Sequence, residues 1–440
     1  MFVSGDSGDW LAASTIWMVP QPFGSPLYIT LGHVVNAIFP NNLPAAMTVI
    51  LSVIPAAVTV GLVYLILRAL DLDYKYAIFG AVALLGCGVY LSQATVLEEY
   101  AIATMFCTLA LYCHVKKRYT LTAVFLGLGT AVHVIIGAIA CLWAVVSYKE
   151  WRSSWKTMLP AFIACGVLPY SLILALMASP STPKWIAGNL SLESINSYLG
   201  STGTIGALAL QATPQRLAEA IPIILLSFGP LLIPMVKGLQ KPRSKLFPIA
   251  CVTLGFCLWL YITNSDPSTW TFLTFAAPVA CIAIGIGLSH LPKWYYHAST
   301  GFLVILIITN GILLNAHVLT EQYPIAHNYY ESTTSLPAGS SLVVSHGGPY
   351  GLGAMYIVAQ GQPAELIFIE SEEGQDTVDY QDYLEWSSIP GDNWIEQVEY
   401  CLDHNVPVYI HYAILPPEHQ QKVDNLFALE KTNEYWYQIK

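Results

Sequence analysis

The amino-acid sequence predicts an α-helical polytopic membrane protein that ends in a small soluble α/β domain, and two observations carry that reading. Of the 440 residues, 55% are hydrophobic and only 10% charged, with a mean hydropathy of +0.54, which is far more apolar than an ordinary soluble domain. The charge is also split along the chain: residues 1 to 319 hold 10 acidic and 15 basic side chains, whereas 320 to 440 hold 18 acidic and 3 basic. The net charge of -10 therefore belongs to the tail. Such a tail argues against nucleic acid and against docking on anionic lipid heads, and suits a soluble domain standing off the membrane.

Apolar runs with at most one charged residue, each near the roughly 20 residues that cross a bilayer as a helix, lie at 44 to 69, 76 to 93, 99 to 115, 119 to 147, 157 to 177, 217 to 236, 246 to 263, 269 to 290 and 298 to 317. The basic loops are Lys116-Lys117-Arg118, then Lys149, Arg152 and Lys156, then Lys237, Lys241, Arg243 and Lys245, and finally Lys293. These face the cytoplasm under the positive-inside rule. Two of them flank the single run 119 to 147, and one crossing would put them on opposite sides. Two short helices that rise and return remove the conflict. Gly127, Gly129 and Gly137 offer places to break, and His133 then sits near the turn on the outer side. The count becomes about ten membrane segments.

The non-cytoplasmic parts are then 1 to 43, the Glu98-Glu99 loop, 178 to 215, 264 to 268 and the tail. Ser25 to Phe39 is apolar but short and Pro-bounded, which suits an interfacial helix. No stretch resembles a cleavable signal peptide. The expected divisions are an acidic outer loop with its interfacial helix over 1 to 43, a transmembrane domain over 44 to 318, and the soluble domain over 319 to 440.

In the tail, Ser341 to Ser345 reads as a strand, Gly347-Gly348-Pro349 as a turn, Leu352 to Gln360 as a helix and Leu366 to Glu370 as a second strand, together a βαβ unit. A helix over Asp392 to His404 and a strand over Val406 to His411 follow. Eight of nine cysteines lie in apolar runs, where cysteine behaves as a small hydrophobe, and Cys401 stands alone in the tail. No C-x-x-C spacing appears, so the cysteines decide nothing about redox compartment.

The chemistry concentrates at the start, in Gly5-Asp6-Ser7-Gly8-Asp9. Asp6 and Asp9 are three apart, so on a helix both carboxylates share one face. Helix capping explains the same pair. The run Pro20-Gln21-Pro22-Phe23-Gly24-Ser25-Pro26-Leu27-Tyr28 is rigid and turn-rich, suited to a shaped loop over a membrane-level cavity. Glu98 and Glu99 suit capping of the next helix, whose dipole favours acids there, or a second acidic wall of a groove. His133 is a hydrogen-bonded interior histidine or a functional group at membrane depth. Asp266 beside Pro267 reads as a turn residue. His346-Gly347-Gly348-Pro349 exposes backbone N–H groups but lacks the Lys and Ser/Thr of a phosphate loop.

In order along the chain, these motifs resemble a branch of the GT-C superfamily, long catalogued as a domain of unknown function, that includes transmembrane O-mannosyltransferases. Gly5 to Asp9 followed by Pro22, Gly24 and Pro26-Leu27-Tyr28 resembles its "GDSGE … HPPGYPLY" opening. Glu98-Glu99-Tyr100 resembles "EVYAL", Gly127-Leu128 to His133 resembles "GLALGNH", and Leu168-Pro169-Tyr170 through Trp185 resembles "LPYLYLPLR…NW". Asn264 to Leu273 is similar to the "D…FFLP" entry to a late helix. Asp9 stands for the family's Glu and Gln21 for its His. Family members also begin with a membrane helix that delivers the acidic loop outward, whereas only five residues precede Asp6 here, so the resemblance implies a missing first helix.

The resemblance implies a GT-C-like fold, a polyprenyl-phosphate sugar as donor, and an acid of the first outer loop as general base toward a hydroxyl of a protein or glycan acceptor. A partly desolvated carboxylate at a membrane interface suits that task. Asp6 is then the base and Asp9 its orienter. Gln21, Tyr28, Glu98, Glu99, His133, Lys184, Trp185 and Arg216 are the expected donor- and acceptor-binding residues. The phosphate needs a cation or dipole, for which Lys184, Arg216 and His133 are candidates, although Lys184 equally reads as a solvated loop lysine and Arg216 as a helix-entry charge. Two carboxylates suit Mg²⁺ or Mn²⁺, but no further ligand set accompanies them, so no resident metal site is assigned. The expected location is the cell membrane, with active site and tail on the non-cytoplasmic side. A transporter or flippase of lipid-linked sugars is the rival from another class, yet no internal repeat of the transporter kind is found. A catalytically inactive relative is the third reading, kept by Gln21.

Overall fold

The structure, a computed structural model, describes residues 7–17, 24–177, 214–240, 246–263, 267–314, 332–337, 339–345, 364–369, 394–412, 417–433 and 436–440. It begins with helices α1 (Ser7–Ile16) and α2 (Pro26–Ile38), which pack together by Trp10 set edge-on against Tyr28, ring centroids 5.1 Å apart. Thirteen residues make α2 about 20 Å long, too short to span at 1.5 Å per residue. It buries Tyr28, Ile29, Gly32 and Val35 and leaves Val34 and Ile38 exposed.

The helical part continues as α3 (Pro40–Ala69), α4 (Tyr74–Gly86), α5 (Gly88–Gln93), α6 (Tyr100–Val115), α7 (Tyr119–Val132), α8 (Val134–Val146) and α9 (Trp155–Leu176). After the undescribed stretch come α10 (Pro214–Ser227), α11 (Leu232–Leu239), α12 (Leu246–Thr263), a 3₁₀ segment Pro267–Phe275, α13 (Ala277–Leu288) and α14 (Lys293–Leu314). Among the described residues, α3, α9 and α14 are each long and apolar enough to cross a membrane unaided. In α3 and α9 a π-type turn, Thr48–Val53 and Ile163–Val167, stands just before a proline, Pro55 and Pro169. A proline lacks the N–H that its helix would use, and the shifted register absorbs the loss.

Several runs that read as single spans are broken. The run 76 to 93 is interrupted at Cys87, and 217 to 236 bends by 90° at Phe228. In 269 to 290 the first part is 3₁₀ and only Ala277–Leu288 is α-helical. Hydropathy reports burial from water and is blind to such breaks, which depend on who receives the freed backbone groups. Two carbonyls freed at breaks go to one side chain: Asn310 Nδ2 of α14 donates to Gly86 O (2.7 Å) and to Leu226 O (3.1 Å). Leu226 O has no partner four residues on because residue 230 is proline.

The run 119 to 147 is indeed two helices, but the glycines do not make the break. It falls at His133, and the two arms fold onto each other, Gly129 facing Ile136 and Gly137 facing Thr130. Gly127 lies on another face, against Cys165 and Gly166 of α9. Both flanking basic loops lie at one end of the bundle. There Trp151 Nε1 donates to His114 Nδ1 (3.1 Å), and the Thr120 and Thr157 hydroxyls are 2.8 Å apart.

At the other end of the chain a five-stranded sheet has the order β2-β1-β3-β5-β4. β1 (Ser340–Ser345), β2 (Ala364–Ile369) and β3 (Val408–Ile410) are parallel, while β5 (Tyr437–Ile439) and β4 (Leu429–Lys431) add antiparallel. The parallel β1 and β2 match the expected βαβ pairing; the helix foreseen over Leu352 to Gln360 and the turn at Gly347-Gly348-Pro349 lie outside the described residues. β3 is shorter than the Val406 to His411 expected, although backbone bonds at Pro407 and His411 extend its pairing. Helices α15 (Trp394–Asp403) and α16 (Pro417–Leu426) complete this region. Alternation divides the sheet: Val343, Ile367, Val408, Ile410 and Ile439 join Trp394 and Val398 in a core of their own, whereas Leu342, Tyr409 and Trp436 belong to the core of the helical part.

Candidate active site

The site lies at the end of the bundle opposite the basic loops, where the entry to α6, the α7–α8 break and the first turn of α1 meet. Ser7 Oγ donates to Leu97 O (3.1 Å), so the helix that begins within the acidic N-terminal motif is tied to the loop that carries Glu98 and Glu99. Glu99 occupies the N-cap position of α6, yet its carboxylate does not cap. Oε1 stands 3.8 Å from His133 Nε2 instead, with the two side chains only 7% and 11% exposed.

His133 supplies the cap of its own break. Its Nδ1 accepts the N–H of Ile135 (3.2 Å), so in the neutral ring the proton sits on Nε2, the nitrogen that faces Glu99. At 3.8 Å the pair is too far apart for a hydrogen bond but well placed for electrostatic attraction. Thr130 O, which would have served Val134 in an unbroken helix, accepts the hydroxyl of Tyr170 (2.9 Å). Aromatic rings close the surroundings: Tyr100, Phe275 and Phe272 lie 5.2, 5.3 and 6.0 Å from the His133 ring. Tyr28 is fully buried within electrostatic reach of Glu99 and Glu98. A low-dielectric pocket of this kind strengthens every charge interaction inside it.

Of the residues singled out in the sequence, Tyr28, Glu98, Glu99 and His133 therefore come together. Asp9 lies in α1 and Arg216 in α10, their side chains outside the described set, while Asp6, Gln21, Lys184, Trp185 and Asp266 lie outside the described residues. Whether Asp6 and Asp9 share a face, as the i, i+3 spacing suggests, thus rests on the sequence. Among the described residues no group of three or more His, Cys, Asp or Glu is arranged to hold a metal ion. Tyr100, Tyr170 and Phe272 stood in the motifs without a role, and Phe275 carried no signal beyond its apolar run.

No family model matches the chain, and no curated protein matches it. Solved structures do. ArnT from Cupriavidus metallidurans bound to undecaprenyl phosphate superposes with a TM-score of 0.70 at 10% identity, covering 100% of this chain and 93% of that one. Its apo structure gives 0.69, also at 10% identity, covering 98% and 92%. The chain thus shares the fold of that protein, a polytopic helical bundle with a C-terminal sheet, as the sequence predicted, and it is an integral membrane protein.

Proposed function

We propose that the chain is a membrane glycosyltransferase that moves a hexose, mannose first among the candidates, from a polyprenyl-phosphate donor to an acceptor hydroxyl on the non-cytoplasmic face. The carrying observation is the full-length likeness in fold to ArnT, a protein whose structure holds undecaprenyl phosphate. The convergence of α1 with Glu99 and His133 at one end of the bundle supports the same reading.

In this reaction Asp6 takes the proton of the acceptor hydroxyl as its oxygen attacks the anomeric carbon, and the bond from that carbon to the phosphate oxygen breaks. Direct displacement inverts the anomeric configuration and releases polyprenyl phosphate. Asp9 orients Asp6. Glu99, held by His133, forms the opposite acidic wall of the acceptor groove, and Tyr28 shapes it. Lys184 or Arg216 neutralises the phosphate, with a divalent cation beside the aspartates as the alternative. The substrate face is that of the cell membrane away from the cytoplasm.

Purified protein incubated with polyprenyl-phosphate-linked mannose or glucose and candidate acceptors should release polyprenyl phosphate. Asp6→Ala should slow that release by about 10³-fold, the usual weight of a general base. No release under any pairing, or equal rates for the two proteins, would overturn the reading. Movement of intact lipid-linked sugar across vesicles without release would instead support the transporter.

A further inference from the structure

A second lipid-facing feature lies at the basic end, away from the candidate active site. Helices α8 and α9 both pack on α7 but splay from each other, because short side chains (Ala123, Ala140, Ala144) line the gap between them. The result is an apolar slot of about 190 Å³, floored toward the basic loops by Trp151 and Trp155. That exceeds the ~150 Å³ of an apolar cavity able to hold benzene. Its mouth is turned to the bilayer, since Cys141 and Leu159 on its rim are exposed.

The two tryptophans differ. Trp151 Nε1 is satisfied by His114. The Trp155 indole nitrogen is buried and has no acceptor among the described residues. Lys149, Arg152 and Lys156, all exposed, stand within six residues of it, and Lys116, Lys117 and Arg118 share that end.

We propose that this slot binds one acyl chain of an anionic phospholipid from the cytoplasmic leaflet, the phosphate accepting from Trp155 and lying against Arg152 and Lys156. Charge complementarity chooses this occupant. Leaving lipid for an apolar slot gains no hydrophobic energy, because lipid tails are as apolar as the lining. Selectivity must therefore come from the head group, where cations and a desolvated donor meet the phosphate.

The full-length protein in detergent is titrated with phosphatidylglycerol or phosphatidylcholine and read by native mass spectrometry and by Tm. Phosphatidylglycerol should bind about tenfold more tightly and raise Tm more, the scale of one charge-assisted contact. Trp155→Phe, which keeps the ring, should weaken both lipids, since each carries the phosphate it would serve, whereas the double change Arg152→Gln with Lys156→Gln should remove most of the preference. Ala144→Trp should fill the slot and exclude both lipids. Equal binding of the two lipids by the wild type, an undiminished preference in the double variant, or unchanged binding in Trp155→Phe and Ala144→Trp would overturn the proposal. None of these residues belongs to the proposed glycosyl-transfer site, so failure here leaves that reading untouched.

Discussion

The molecule interrupts its helices in two ways. At His133 the break is served locally and by the site itself: the imidazole caps α8 with one nitrogen and faces Glu99 with the other, while Tyr170 takes Thr130 O. At Cys87 and Phe228 the breaks are served from afar, by Asn310, which reaches Gly86 O and Leu226 O from α14. Every backbone group freed inside a membrane needs a partner. The difference lies in what that partner also does. Asn310 spends both its N–H bonds on backbone and has a structural task, whereas His133 keeps one nitrogen for a carboxylate.

The largest stability effect should therefore come from Asn310→Leu. It orphans two buried carbonyls, each costing about 1 to 3 kcal/mol, and should lower unfolding free energy by about 4 kcal/mol with a fall in Tm. A loss below about 1 kcal/mol in a detergent melt would mean that the breaks find other partners.

His411, in the sheet region, is a buried histidine with neither role. Burial pulls its pKa down from 6.5 to about 4, and its ring lies 5.4 Å from that of Trp436. The unfolded chain then binds the extra proton between those values, so stability is full above pH 6.5, declines as pH falls toward 4, and levels below it. The loss should reach up to about 3 kcal/mol, and His411→Phe should flatten the profile in that window.

Gly127→Leu wedges a side chain against Phe162 O and Gly166 N, 3.0 and 3.1 Å from its Cβ, at the α7–α9 contact. Overpacking of this kind should cost about 2 kcal/mol. If the hairpin were the mobile part of the site, the variant would lose activity without losing Tm.

The smallest stability change separates the two kinds of break most sharply. His133→Asn keeps a good helix cap but cannot reach Glu99, so stability should move by less than about 1 kcal/mol. Sugar transfer should nonetheless fall by about 10²-fold, the scale of a misplaced catalytic group. Wild-type transfer by the Asn variant would reduce His133 to a cap.

Much of this architecture was legible in the sequence. Hydropathy located the apolar segments, the distribution of Lys and Arg demanded a hairpin inside 119 to 147, and short β-type runs bounded by turn residues marked the parallel strands. The short antiparallel β4 and β5 escaped because three residues each carry no periodic signal. Glu98, Glu99 and His133 stood out because charged or titratable groups are rare beside long apolar runs.

By itself, then, the sequence determined the solvent of each segment, since transfer between water and lipid depends on composition alone. Tertiary structure decided which partners receive the backbone groups freed at the breaks, and where the Glu99 carboxylate goes. A freed carbonyl or an N-terminal carboxylate chooses among partners that are far apart in the chain, and Asn310 lies 224 residues from Gly86. Local sequence offers Glu99 a helix terminus to cap; folding sets its carboxylate beside His133 instead, 3.8 Å from Nε2.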